Sequence, residues 1–194
     1  MKKYFFLLVL LCVQSVVFAQ KNTNKPFSNP EIDAQVAELM SKMTLDEKIA
    51  QITGTRLREI MVDGEISLEK CREVIPNGIG HFCQFSTGLA LKPEDLRDLV
   101  REIQHFLMTE TKHKIPAIFH EEAITGFATL GATTFPQQIG IGCSWNPELV
   151  ERNTNSTRQN MRDGGATFAL SPMIDLSRTA HWNRHQEKLQ EFYV

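Results

Sequence analysis

Cysteine is scarce in this chain of 194 residues, with four in all. Cys12 falls in an N-terminal segment that reads as a removable leader, which leaves Cys71, Cys83 and Cys143. These are widely spaced and include no Cys-x-x-Cys, which excludes a dense disulfide framework and argues against structural zinc or a redox dithiol. They read instead as small buried hydrophobes. A surplus of one charge is also lacking: 21 basic and 23 acidic side chains give a net charge of −2. Such a balance has none of the electrostatic footprint of a nucleic-acid binder, so no nucleic-acid partner is expected. After residue 20 there is no run of the ~18 apolar residues that a membrane span needs, so no membrane association is expected once the leader is gone. Gly-x-Gly-x-x-Gly, Walker and Gly-x-Ser-x-Gly patterns are missing too, with Gly78-Ile79-Gly80 standing alone. That removes the usual sequence grounds for a nucleotide site or a serine-hydrolase elbow. His120-Glu121-Glu122 lacks a second histidine four places on, and His181 and His185 would meet only on a helix. No metal is expected.

What is present is the composition of a folded domain, with 42% hydrophobic and 23% charged residues, and the length suits one domain with a sizeable core. Lys2 and Lys3, the apolar run Tyr4 to Val13 and the close Val17-Phe18-Ala19 read as a secretory signal peptide over residues 1–19. Leu11 is too bulky for a lipoprotein site at Cys12. The expected location is periplasmic or secreted. Residues 20–30 form a polar linker.

Apolar residues then take helical spacing at Ile32, Val36, Leu39, Met40 and Met43. Thr44-Leu45-Asp46-Glu47 reads as a capping box opening a second short helix that buries Leu45, Ile49 and Ile52. Ile79–Phe85 is a candidate strand. A strong stripe of Leu96, Leu99, Val100, Ile103, Phe106 and Leu107 predicts a helix from Pro93 to about His113. Ile115–Glu121 is a second strand, 135–144 a short helix, and Asn146-Pro147-Glu148 opens a helix that Gly164-Gly165 stops. Thr167–Asp175 is a third strand. Strands alternating with helices predict a parallel sheet, and nearly all-apolar strands predict one covered on both faces.

Polar residues gather where these strands end, the edge at which α/β sheets bind ligands. Glu121 and Glu122 are sequence neighbours, so on a strand they point to opposite faces and make a poor catalytic pair. One of them suits the gripping of sugar hydroxyls, because a carboxylate accepts several strong hydrogen bonds. Capping or plain solvation is the structural alternative. Asp175 is followed by Arg178, His181, Trp182, Asn183 and Arg184. An aromatic face beside charged donors also suits a sugar, while a surface ion pair with a buried Trp182 is the alternative.

Several of these stretches, in order, resemble glycoside hydrolase family 3. Met43-Thr44-Leu45-Asp46-Glu47-Lys48-Ile49 is similar to the family's opening helix, and Ile115 to Gly126 to its second-strand motif. Phe135-Pro136-Gln137-Gln138, Trp145-Asn146-Pro147-Glu148 and Leu170 to Arg178 continue the register, and Trp182-Asn183-Arg184 completes it. The resemblance implies an α/β fold: a partial (β/α)8 TIM barrel, about three of eight βα units, preceded by N-terminal helices and spanning residues 31–184. It also implies a retaining exo-acting β-glycosidase that needs no cofactor and acts on β-linked oligosaccharides or glycosides. Carried over by position, Glu122, where the family usually has Asp, and Arg184 are substrate-binding and Asp175 supports the site; Trp182 joins the substrate-binding set as the aromatic face beside them. His181-Trp182-Asn183-Arg184 departs at two places from the family's Arg-Trp-Gly-Arg-like segment. No residue of this chain matches the family's nucleophile or acid/base, so no catalytic residue is assigned. The pattern breaks over 185–194, which predicts a truncated or frame-shifted chain that is inactive by itself. A non-catalytic exported sugar-binding or scaffold protein, and a split enzyme completed by a second chain, are the alternatives.

Overall fold

The computed structural model describes residues 29–174 together with His181, Arg184 and Glu187. The expected leader, Asp175, Trp182 and most of the 185–194 tail lie outside the described residues. The chain divides into two compact units at Thr44/Leu45. In the first, helix α1 (Pro30–Ser41) starts where the side chain of Asn29 accepts a hydrogen bond from the Glu31 amide and Pro30 supplies a fixed first turn. None of its residues is buried, and its apolar stripe is exposed.

The second unit is built on a four-stranded parallel sheet. Its strands are β1 (Gly54–Thr55), β4 (His81–Cys83), β5 (Ile118–Glu121) and β6 (Phe168–Ala169), joined in that order. Strands that follow one another across a parallel sheet without reversing make the sector of a barrel rather than a doubly wound sheet. Among the described residues the barrel does not close. The crossovers carry α3 (Leu68–Val74), α4 (Pro93–Glu110) and α6 (Pro147–Asp163), with the short α5 (Gln138–Gly142) before α6. The three strands expected from the sequence correspond to β4, β5 and β6, and β1 with its crossover adds a unit ahead of them.

The core lies on the helix side of the sheet. Phe82 and Phe119 stack at 4.9 Å, and Phe85 meets Phe119 edge-on at 5.4 Å. Leu96, Val100, Ile103, Phe106 and Leu107 of α4 are all buried in the same cluster, as their spacing predicts. Gln104 ties α4 to the entry of β5, donating to Ala117 O (2.7 Å) and accepting from Ala117 N (3.0 Å). The helix ends at Glu110, short of the expected His113, because Thr111 is extended and its hydroxyl takes Leu107 O at 2.6 Å. Helix α6 begins on Asn146, whose side chain accepts from the Leu149 amide.

Three expectations are corrected. Helix α2 (Leu45–Ile52) exists, but its apolar side is not buried: Leu45 is 72% and Ile52 80% exposed, whereas Glu47 is 7% exposed. Glu47 faces inward instead, with its carboxylate 2.8 Å from Lys112 Nζ and 3.0 Å from His113 Nε2. The cysteines do not behave alike, since Cys71 is buried, Cys83 half-buried and Cys143 exposed. Burial pushes the Cys71 thiol up to about 11, which keeps it protonated. Finally, β1, the hairpin β2 (Met61–Val62) to β3 (Glu65–Ile66) and α3 were all missed. Asp63-Gly64, with φ of 51° and 89°, is the local signal that marks that hairpin.

Candidate functional site

The strand ends bring together residues far apart in sequence. Register pairs Cys83 with His120 and His120 with Phe168, so these side chains share the sheet face away from the Phe82–Phe119 core. The His81 and His120 rings lie 5.2 Å apart, and Phe168 stands edge-on to His120 at 6.3 Å. His120 Nδ1 is buried without a hydrogen-bond partner. Burial, reinforced by neighbouring His81, holds its pKa below 6.5, so it is neutral at pH 7. The His81 ring lies over Gly54, where a Cβ would fall 2.1 Å from Nε2. Among the described residues no three His, Cys, Asp or Glu side chains converge to hold a metal.

Glu121 and Glu122 separate as alternation requires. Glu121 points into the core, 2% exposed, and accepts from Ser86 N (2.6 Å) and Ser86 Oγ (2.7 Å). Burial raises its pKa against the pull of those hydrogen bonds. It is a clamp on the β4–α4 loop. Glu122 points to the open side, half-buried, and its Oε1 accepts from Gln84 Nε2 at 3.3 Å. Gln84 Oε1 in turn accepts from Arg56 Nη2 at 2.7 Å. Arg56 follows β1, Gln84 follows β4 and Glu122 follows β5, so three successive strand ends supply one polar chain. Sequence reasoning singled out Glu122 but not Arg56 or Gln84, because no local motif marks them and only parallel register aligns them with it. Two of the adjoining residues hold left-handed backbone, Gln84 with φ 46° and Ala123 with φ 50°. Strain of this kind in residues other than glycine collects at binding sites.

Arg184 lies in the C-terminal segment, where its Nε meets Glu187 at 3.0–3.1 Å. Asp175 and Trp182 lie outside the described residues. A separate cavity of about 710 Å³ opens between α6 and β6, lined by residues such as Phe135, Ile141, Val150, Thr157, Met161 and Thr167. Among the described residues its polar lining is amides, hydroxyls and the guanidinium groups of Arg158 and Arg162, with no carboxylate.

Comparison with known proteins agrees with this geometry. Residues 44–191 match the family described as "Glycosyl hydrolase family 3 N terminal domain". A periplasmic beta-glucosidase of Salmonella typhimurium is 30% identical over 183 residues, covering 94% of this chain and 22% of its own length. A putative beta-xylosidase of Formosa agariphila is 27% identical over 200 residues, 98% of this chain and 26% of its own. Among solved structures, a β-glucosidase from Erythrobacter marinus superposes with TM-score 0.67 at 30% identity, over 79% of this chain and 20% of that one. A Listeria innocua beta-glucosidase in complex with glucose gives TM-score 0.58 at 26% identity, over 80% of this chain and 21% of its own. The chain thus spans between a fifth and about a quarter of the length of these relatives. A family match over most of the chain, on a parallel sheet whose strands run in barrel order, makes this chain a member of glycosyl hydrolase family 3.

Proposed function

We propose that this chain is the hydroxyl-gripping sector of an exported β-glycosidase, acting on β-linked glucosides or related sugars by a retaining mechanism. In such a mechanism a carboxylate nucleophile forms a glycosyl-enzyme that water then hydrolyses, with a second carboxyl group as acid and base. The part assigned to this chain is binding. Glu122 accepts hydrogen bonds from sugar hydroxyls, and Arg184, Asp175 and Trp182 complete the grip with donors, an acceptor and an aromatic face. The observation that carries the reading is Glu122 itself: a carboxylate on the open face at a parallel strand end, with only Oε1 engaged by the protein among the described residues. The names of its relatives, β-glucosidase and β-xylosidase, support this substrate class.

Bond breaking is not assigned to this chain. The carboxylate pair at the strand end, Glu121 and Glu122, faces opposite sides of the sheet, whereas a retaining pair must sit about 5–5.5 Å apart across the substrate. The same observation favours the second reading, a non-catalytic exported sugar binder. The test is direct. The purified chain shows no turnover of an aryl β-glucoside and binds glucose saturably, and Glu122→Ala weakens that binding at least about tenfold. Turnover above background that Glu122→Ala abolishes would overturn the assignment of binding alone.

A further inference from the structure

We infer that Gln84 is a positioning residue for Glu122, and that Arg56 acts through it; the inference rests on the sugar-binding reading above. Gln84 is the hub of the strand-end chain. Its amide lies between a guanidinium, which only donates, and a carboxylate, which only accepts. That fixes the amide with its oxygen toward Arg56 and its nitrogen toward Glu122. The Arg56 charge polarises the amide, and the amide hands that polarisation to Glu122 Oε1. Glu122 is thereby held in one rotamer, with Oε2 turned to the open face for a hydroxyl.

The backbone gives an independent reason to assign Gln84 a role. Its φ is 46°, a conformation in which glycine is relaxed and any residue with a Cβ is strained. Its own amide is already satisfied by His120 O at 3.0 Å. A glycine would serve the turn better, so what a glutamine adds here is its side chain. Such a residue, kept where glycine would be relaxed and with its side chain engaged by two partners, is a candidate for a role at the site.

The experiment is a glucose titration of the 194-residue chain, with thermal melts of each variant. Gln84→Gly is expected to melt at or above the temperature of the native chain while its glucose affinity falls about tenfold. Gln84→Glu sets a second carboxylate against Glu122 and is expected to bind at least as weakly. In a double-mutant cycle, Gln84→Gly is expected to cost less than about twofold once Glu122 is already Ala, because no side chain is left there to position. Equal losses in both backgrounds, an unchanged affinity, or a Gln84→Gly variant that melts earlier would each overturn the role of Gln84 and leave the sugar-binding reading intact. A folded native chain that binds no glucose would overturn both.

Discussion

Two neighbouring glutamates on one strand have opposite fates, and the difference is solvation. Glu121 is turned into the core and kept there by two hydrogen bonds from Ser86, while Glu122 meets the open face through Gln84. That they would part was legible from strand alternation; which of them would be buried was not, because it depends on where the helices pack. Arg56 and Gln84 were illegible for a related reason, since they meet Glu122 only through sheet register. Burial of Glu121 has a consequence for pH. Its folded pKa lies above the ordinary 4.5, so the folded state holds the proton more tightly than the unfolded one. The contribution is therefore full below the ordinary value and is lost as pH rises through the folded value. Thermal melts from about pH 4 to 7 should show the native chain losing stability relative to Glu121→Gln as pH rises. A constant difference across that range would contradict the shift.

At the scale of elements, the long periodic helix was read correctly and the short one was inverted. Helix α4 carries enough apolar residues on one stripe that burial of that stripe decides its orientation. Helix α2 has eight residues, and the face it turns inward carries Glu47, hydrogen-bonded to Lys112 and His113, rather than its three aliphatic side chains. Sequence periodicity gives no warning of this, since Lys112 and His113 lie more than sixty positions away. Lys112 is mostly exposed and contributes little, but the His113 side chain is nearly buried. Glu47→Ala leaves that imidazole without its partner and should lower stability by about 1–3 kcal/mol in denaturant melts. Close packing at the end of the same helix adds a second constraint. A Cβ on Gly80 would stand 2.0 Å from Gln51 O, so this glycine lets α2 lie against the start of β4. The missed hairpin had a readable turn at Asp63-Gly64, but its two-residue strands are too short for alternation to register.

At the scale of the whole molecule, the parallel sheet was legible from alternating strands and helices and its barrel order only from the family resemblance, while the first strand was not legible, because it is only two residues long. The sheet is open at β6 among the described residues, and Phe168, Leu170 and Ile174 near that edge are exposed. An open parallel edge with apolar neighbours is a template for association. Light scattering should therefore record concentration-dependent association of the chain, reduced by Phe168→Lys together with Leu170→Lys. A monodisperse monomer at all concentrations would mean that the edge is covered.

The account as a whole stands on the strand-end edge as a place where sugar hydroxyls are held. The most direct measurement is an amide NMR titration of the chain with glucose, repeated on Glu122→Ala. The account predicts saturable shifts confined to Arg56, Gln84, His120 and Glu122 and their neighbours, and their loss in the variant. Shifts centred instead on the α6–β6 cavity, or a folded chain with no shifts at all, would contradict it.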